Sequence, residues 1–194
     1  MRTLFVGDVH ACADELADLL DRAAADRVIL LGDVFNKGPK PNETWALVRD
    51  VGAESVLGNH DLRVIQSGET TAPLAPSEAI AWLRRLPVTL HGKGWVAVHG
   101  GIDPLKGAAE TTQAQAVNMR RWPMDVPDAD FWWRQYTGDE LVLYGHDAVR
   151  GLQDFRPRTL GLDTGCVYGG RLTGYLLEVD QLISVDARSA YRPV

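Results

Sequence analysis

Five short apolar runs in this chain each end at a cluster of glycine with acidic, amide or imidazole side chains. That recurrence constrains the fold more than any other feature. The clusters are Gly7-Asp8-Val9-His10, Gly32-Asp33, Gly58-Asn59-His60-Asp61, His99-Gly100-Gly101 and Gly145-His146-Asp147. In α/β sheets, ligands bind beyond the carboxyl ends of the strands. If the apolar runs are strands, the five clusters can converge on one rim. Glycine suits such turns, where backbone must approach closely or adopt a positive φ.

The segments between the clusters fit this pattern. Thr3–Val6 is apolar and β-prone. A helix is predicted from about Cys12 to Ala25, because Leu16, Leu19, Leu20 and Ala23 recur at i, i+3, i+4 and i+7. Val28–Leu31 is a second strand, Glu43–Asp50 a helix with Pro41 near its start, and Val56-Leu57 a third strand. Strand–helix–strand–helix–strand predicts an α/β fold with partly parallel pairing. Gly68–Ser77 reads as loop and Glu78–Leu86 as helix. Val88–Leu90 and Trp95–Val98 flank His91-Gly92-Lys93-Gly94 as a β-hairpin. Gly100–Ala109 reads as loop, Thr111–Arg121 and Asp128–Tyr136 as helices. Leu141–Tyr144, Thr159–Leu162, Leu172–Val179 and Leu182–Val185 read as strands. No repeat, low-complexity tract or linker divides residues 1–194, so one domain is expected. A chain of this length buries roughly 70% of its unfolded surface and needs no disulfide or metal to fold.

The side chains that would meet at the rim are Asp8, His10, Asp33, Asn59, His60, His99 and His146. A single Gly-Asp is usually a turn, and a single histidine usually structural. Here, however, four of the five histidines in the chain fall in the clusters. The fifth, His91, belongs to the expected hairpin turn and is treated as structural or solvated. Two carboxylates, an amide oxygen and several imidazoles suit first-row divalent ions such as Mn²⁺, Fe²⁺ or Zn²⁺. Seven donors exceed one tetrahedral site and fit two ions about 3.5–4 Å apart, bridged by a shared carboxylate. Such a pair lowers the pKa of a bridging water and neutralises phosphoryl oxygens during in-line displacement.

Charge and composition narrow the partners. A formal net charge of −6 argues against non-specific binding to nucleic acid or anionic membrane. It leaves phosphorylated substrates open, because bound divalent ions invert the local sign. No apolar run approaches ~18 residues, so no membrane-spanning helix is expected. MRTLFVGDVH reads as a first strand, not a signal peptide. Two cysteines, Cys12 and Cys166, are expected as free thiols in a reducing cytoplasm. Several other motifs are absent. Gly32–Gly38 has the wrong spacing for a phosphate loop, no G-x-S-x-G marks a serine hydrolase, and no C-x-x-C marks a zinc ribbon. The six tryptophans read as packing residues. Cys166 reads as a small buried packing residue, not a nucleophile.

The ordered series Gly-Asp-Val-His, Gly-Asp-Val-Phe-Asn-Lys-Gly, Gly-Asn-His-Asp, His-Gly-Gly and Gly-His resembles the calcineurin-like metallophosphoesterases. Leu162–Gly170 (LDTGCVYGG) is similar to the C-terminal signature of their phosphoprotein-phosphatase branch. That branch holds bacterial Ser/Thr phosphatases and symmetrical diadenosine tetraphosphatases. The resemblance spans residues 7–170. It implies a central β-sandwich flanked by helices in four layers, with the site at one rim. It implies that Asp8 and His10 bind a first ion, that Asp33 bridges, and that Asn59, His99 and His146 bind a second. The two divalent ions would be manganese, with iron, zinc, cobalt or nickel as alternatives. His60 would be the general acid, suited by a pKa near neutrality. Lys37 would contact phosphate, together with Arg120 or, as alternate, Arg121.

Two departures from that branch stand out. Protein phosphatases typically carry Asp-Arg where this chain has Asn36-Lys37. Asn36 can hydrogen-bond the catalytic histidine but cannot stabilise a cation as a carboxylate does. Lys37 offers a point charge in place of a bidentate fork. The chain is also short for a diadenosine tetraphosphatase, which predicts a small, open site lacking a large substrate-covering insertion. The expected enzyme hydrolyses phosphate esters or anhydrides by attack of a metal-bridging hydroxide. Its substrate is expected to be a dinucleoside polyphosphate, a phosphorylated small molecule or a phosphoprotein. The alternative is a non-catalytic binder that uses the ions to hold phosphorylated ligands.

Overall fold

Hydrophobic alternation along the strands builds two sheets whose inner faces pack together. The structure is a computed structural model that describes residues 1–67 and 75–193. Positions 68–74, most of the expected Gly68–Ser77 loop, lie outside the described residues. The first sheet holds β1 (Thr3–Val6), β2 (Arg27–Leu30) and β3 (Glu54–Ser55) in parallel. On the other side of β1 it adds the antiparallel pair β11 (Arg171–Leu176) and β12 (Gln181–Asp186). The second sheet centres on β5 (Trp95–Val98), β8 (Leu141–Tyr144) and β10 (Thr159–Gly161), again parallel. It is edged by the antiparallel strands β4 (Thr89–Gly92) and β9 (Gln153–Phe155).

Period-two alternation assigns each strand residue to a layer. Phe5, Ile29, Leu31, Trp95, Ala97, Leu143 and Leu160 fill the space between the sheets. Leu4, Val6, Val28 and Leu30 point the other way, against helices α1 (Ala13–Ala23), α2 (Pro41–Asp50), α3 (Asn59–Ser67) and α4 (Ser77–Leu83). Val96, Val98, Val142 and Tyr144 face α5 (Gln113–Asn118) and α6 (Trp132–Gln135). The result is the expected four-layer sandwich. In α1 the predicted 3.6-residue stripe is the buried face, with Leu16, Leu19 and Ala23 inward, and Ala24 ends it in a left-handed cap. Among the described residues no helix is long and apolar enough to cross a membrane.

Several element boundaries differ from expectation. The third strand is Glu54–Ser55, and Val56-Leu57 already belong to the rim turn. The Gly-Asn-His-Asp cluster opens α3, a helix the apolar pattern did not announce. His91 lies within β4, exposed and opposite Val96, with Nε2 3.2 Å from Thr89 Oγ1; it is not in the hairpin turn and is remote from the rim. The helix expected over Thr111–Arg121 stops at Asn118, and Arg121-Trp122 form β6, paired with β7 (Asp130–Phe131). That pair leaves only one short turn, α6, of the helix expected over Asp128–Tyr136. The strand expected over Leu172–Val179 ends at Leu176 in a 3₁₀ turn.

Candidate active site

All five clusters lie at the carboxyl ends of parallel strands, three from the first sheet and two from the second, on one rim. The backbone there is held in conformations that L-residues seldom adopt. Eight non-glycine residues among the described ones have a left-handed φ, and His10, Ala11, Asp33, Asn36, Lys37 and His146 are six of them. Such strain persists only where surrounding contacts over-determine it, and it concentrates at functional sites. Gly58 and Gly145 allow the closest approaches. A Cβ at Gly58 would strike the Asp33 carboxylate, and one at Gly145 the Asp8 carboxylate.

Each of those two carboxylates is oriented by a backbone N–H from another cluster. Asp8 Oδ1 accepts from His146 N (3.0 Å), and Asp33 Oδ1 accepts from His60 N (2.8 Å). Their second oxygens turn inward. Asp8 Oδ2 lies 3.9 Å from His10 Nε2. Asp33 Oδ2 lies between two imidazoles, 3.7 Å from His10 Nε2 and 3.4 Å from His99 Nε2. Asn59 Oδ1 sits 3.0 Å from His99 Nε2 and 3.1 Å from His146 Nδ1. The remaining ring nitrogens are committed to main-chain carbonyls. His10 Nδ1 donates to Phe35 O (3.4 Å), His99 Nδ1 to Leu31 O (2.7 Å) and His146 Nε2 to Asn118 O (3.1 Å). These bonds aim the opposite nitrogen of each ring into the site, as the outer partners of metal-ligating histidines do.

Two donor groups thus share one carboxylate. Asp8, His10 and Asp33 bring ligand atoms within 4.8 Å of one another. Asp33, Asn59, His99 and His146 form the second group. Burial, reinforced by Asp163, pushes Asp8 well above the usual carboxylate range. Burial alone would raise Asp33 too, but His99, His10 and His60 hold it far below that range. Burial pulls His10 down to about 3 and His146 to about 2. His99 is buried as well, yet Asp33 and Asp8 push it up to about 10. Closely spaced carboxylates among several imidazoles are a donor set for first-row divalent ions, so the residues fit a two-ion centre.

The other expected site residues surround this centre. A cavity of about 360 Å³ is bounded by Lys37, His60, Arg120 and Tyr168 as well as Asp8, His10, Asp33, Asn59 and His146. Lys37 Nζ reaches 3.3 Å from His10 Nε2 and donates to Tyr168 Oη (2.7 Å). Arg120 donates to His146 O (2.7 Å), and its Nε lies 3.6 Å from Asp147. Arg121, the alternate, faces away; it donates to Ala129 O and stacks 4.5 Å over the Phe131 ring. Asn36 Oδ1 accepts from Lys37 N (2.7 Å), which turns Nδ2 toward His60 Nδ1 at 3.2 Å. The amide donates there, so the neutral ring carries its proton on Nε2. Burial, with Lys37 and Arg63 nearby, pulls His60 down to about 4 against the pull of Asp33.

Two contributors, Asp61 and Asp163, escaped the sequence reading. Asp61 is fully buried and accepts from Asp33 N (2.8 Å), Val34 N (3.0 Å) and Gly58 N (3.0 Å), clamping two rim turns together. Burial raises it to about 7. Asp163 lines the cavity beside Asp8, accepts from Gly165 N (3.1 Å), and is raised by burial to about 6. A signal for it existed, because Thr159–Leu162 is a sixth apolar run that ends in an acid. Tyr168 holds the Lys37 ammonium. Cys166 is buried, and the adjacent Cys12 thiol together with burial pushes its own thiol up, which fits packing and not nucleophilic attack.

The family model for calcineurin-like phosphoesterases matches residues 1–169. The symmetrical bis(5'-nucleosyl)-tetraphosphatase of Vibrio campbellii is 29% identical, with 97% of this chain and 100% of the relative covered. That alignment runs over 271 positions against the 194 residues present here, so at least 77 positions of the relative have no counterpart. A crystal structure provisionally described as a diadenosine tetraphosphatase superposes with a TM-score of 0.88 at 32% identity, covering 96% of this chain and 93% of the other. A metallophosphoesterase from Sphaerobacter thermophilus shares the fold at a TM-score of 0.63 and 19% identity, covering 97% and 89%.

Proposed function

The chain belongs to the calcineurin-like phosphoesterases, hydrolases of phosphate ester and anhydride bonds, and from that premise we propose that its substrate is a dinucleoside polyphosphate cleaved symmetrically. The position of Asp33 Oδ2 between His10 and His99, beside a cavity flanked by Lys37 and Arg120, supports phosphoester or anhydride hydrolysis, and the likeness to symmetrical tetraphosphatases supports the dinucleotide as substrate. Asp8, His10 and Asp33 would hold one divalent ion, and Asp33, Asn59, His99 and His146 the other, with manganese as the proposed metal. Bound ions supply a water of lowered pKa and positive charge against the phosphoryl oxygens. Lys37 and Arg120 hold the non-bridging oxygens in the cavity. His60, when protonated, would give its Nε2 proton to the leaving oxygen and return to a neutral ring, and Asn36 keeps that nitrogen outward. We assign the protein to the cytoplasm as a single phosphoesterase domain.

A second substrate class is favoured by the positions that the Vibrio relative has and this chain lacks. A phosphomonoester or phosphoprotein would use the same cavity. One competition experiment separates the two. Metal-stripped protein reloaded with Mn²⁺ is incubated with diadenosine tetraphosphate and a phosphothreonine peptide together, with EDTA as control. ADP as sole nucleotide product supports symmetrical cleavage. Dephosphorylated peptide beside intact dinucleotide supports the monoesterase, and no turnover of either overturns the catalytic assignment.

Asn36 tests the acid. A carboxylate within about 4–6 Å stabilises an imidazolium by about 1–3 pKa units. Asn36→Asp is therefore expected to raise His60 from its present value of about 4. The protonated acid then persists to higher pH, and the falling limb of kcat/KM for a poor leaving group moves up by about the same amount. A pH–rate profile that does not move would separate Asn36 from the acid.

A further inference from the structure

Behind the catalytic rim, three buried polar side chains face one another. Cys12, at the start of α1, Glu15 in its first turn, and Cys166, after β10, each bring one ligand atom within 4.8 Å of the other two. All three residues are at most 1% exposed, and both thiols are free. Glu15 Oε1 accepts from Arg188 N and from Tyr191 Oη, each at 2.8 Å. Its Oε2 is buried without any hydrogen-bond partner. A carboxylate oxygen left unpaired out of water is strongly disfavoured. The neighbouring cation is already committed, because the Arg188 guanidinium pairs with Asp14 (2.9 Å) and Asp18 (3.1 Å).

We propose that Cys12, Glu15 and Cys166 form a third metal site, distinct from the two-ion centre, that takes a thiophilic divalent cation such as zinc. Two sulfur donors select a borderline-soft ion over the oxygen-seeking magnesium or calcium. Binding sends the two thiol protons to solvent and pairs the orphaned Glu15 oxygen with the ion. The His10 carbonyl, 3.8 Å from Cys12 Sγ, is a main-chain oxygen able to complete four-coordination. The ion would join α1, which follows the Asp8–His10 loop, to the loop that carries Asp163 and Tyr168. Two walls of the catalytic cavity would then be tied from behind.

Cobalt reads this site without reference to turnover. Thiolate-bound Co²⁺ produces a strong near-ultraviolet charge-transfer band, which histidine, carboxylate and amide donors do not. Titrating Co²⁺ into the reduced, metal-stripped full chain is expected to develop that band to one equivalent. Cys166→Ala is expected to abolish it and Glu15→Gln to weaken its affinity at least tenfold. In both variants, elemental analysis of manganese-loaded protein is expected to count the two rim ions unchanged. A wild-type protein that shows no thiolate band with Co²⁺ in excess overturns the proposal, whether or not the variants fold. So does a band that survives Cys166→Ala.

Discussion

Asp33→Asn is expected to lower kcat/KM roughly a thousandfold, about 4 kcal/mol of transition-state stabilisation, and to release bound metal from both donor groups. Asparagine keeps the shape and the acceptor that receives the His60 backbone N–H at 2.8 Å, so the turn should hold. What disappears is the charge on Oδ2, the atom that lies 3.7 Å from His10 and 3.4 Å from His99. Neither group retains a full set of donors without it, and His99 loses the partner that pushes it up to about 10. The check is elemental analysis after gel filtration, alongside steady-state kinetics. A variant with wild-type turnover would remove Asp33, and with it the two-ion centre, from the mechanism.

His60→Asn is expected to have a different signature. General acid catalysis is worth about 10²–10⁴-fold when the leaving oxygen is basic, and little when it departs readily as an anion. The variant should therefore lose roughly that factor with an alkyl phosphate or a nucleotide anhydride, and much less with p-nitrophenyl phosphate. Metal content should stay near wild type, because His60 Nδ1 is engaged by Asn36 and His60 belongs to neither proposed donor group. The ratio of the two losses is the measurement. Equal losses on both substrates would assign His60 to binding or positioning and leave the proton donor to be found elsewhere.

Where sequence and structure part company, the cause is physical in each case. Arg120 and Arg121 are neighbours in the chain, yet only Arg120 faces the cavity. The β6–β7 pairing turns Arg121 onto Phe131, and no local pattern in Asn118–Trp122 encodes that partner. The helix expected over Asp128–Tyr136 gives way to the same pairing, because Trp132 and Trp133 pack under the second sheet and draw the chain inward. Asp61 stands in the third cluster in plain view, but its part in the site depends on three N–H groups, two of them 27 and 28 residues away. Asp163 follows an apolar run as Asp8 and Asp33 do, and its proximity to Asp8 comes from two different sheets meeting at one rim.

The amino-acid sequence by itself determined the five polar clusters, the strand ends that carry them and the α/β class of fold, while the four-layer sandwich followed from the family resemblance. Those features are local: an apolar run of four residues and the turn after it are written in adjacent positions, and their repetition five times leaves few other arrangements. Only the tertiary structure decided which oxygen of each carboxylate points inward, which nitrogen of each imidazole is free, and which arginine reaches the cavity. Lone-pair direction is set by hydrogen bonds from the other turns, such as His146 N to Asp8 Oδ1 across 138 residues. Contacts of that separation exist only once both sheets have packed.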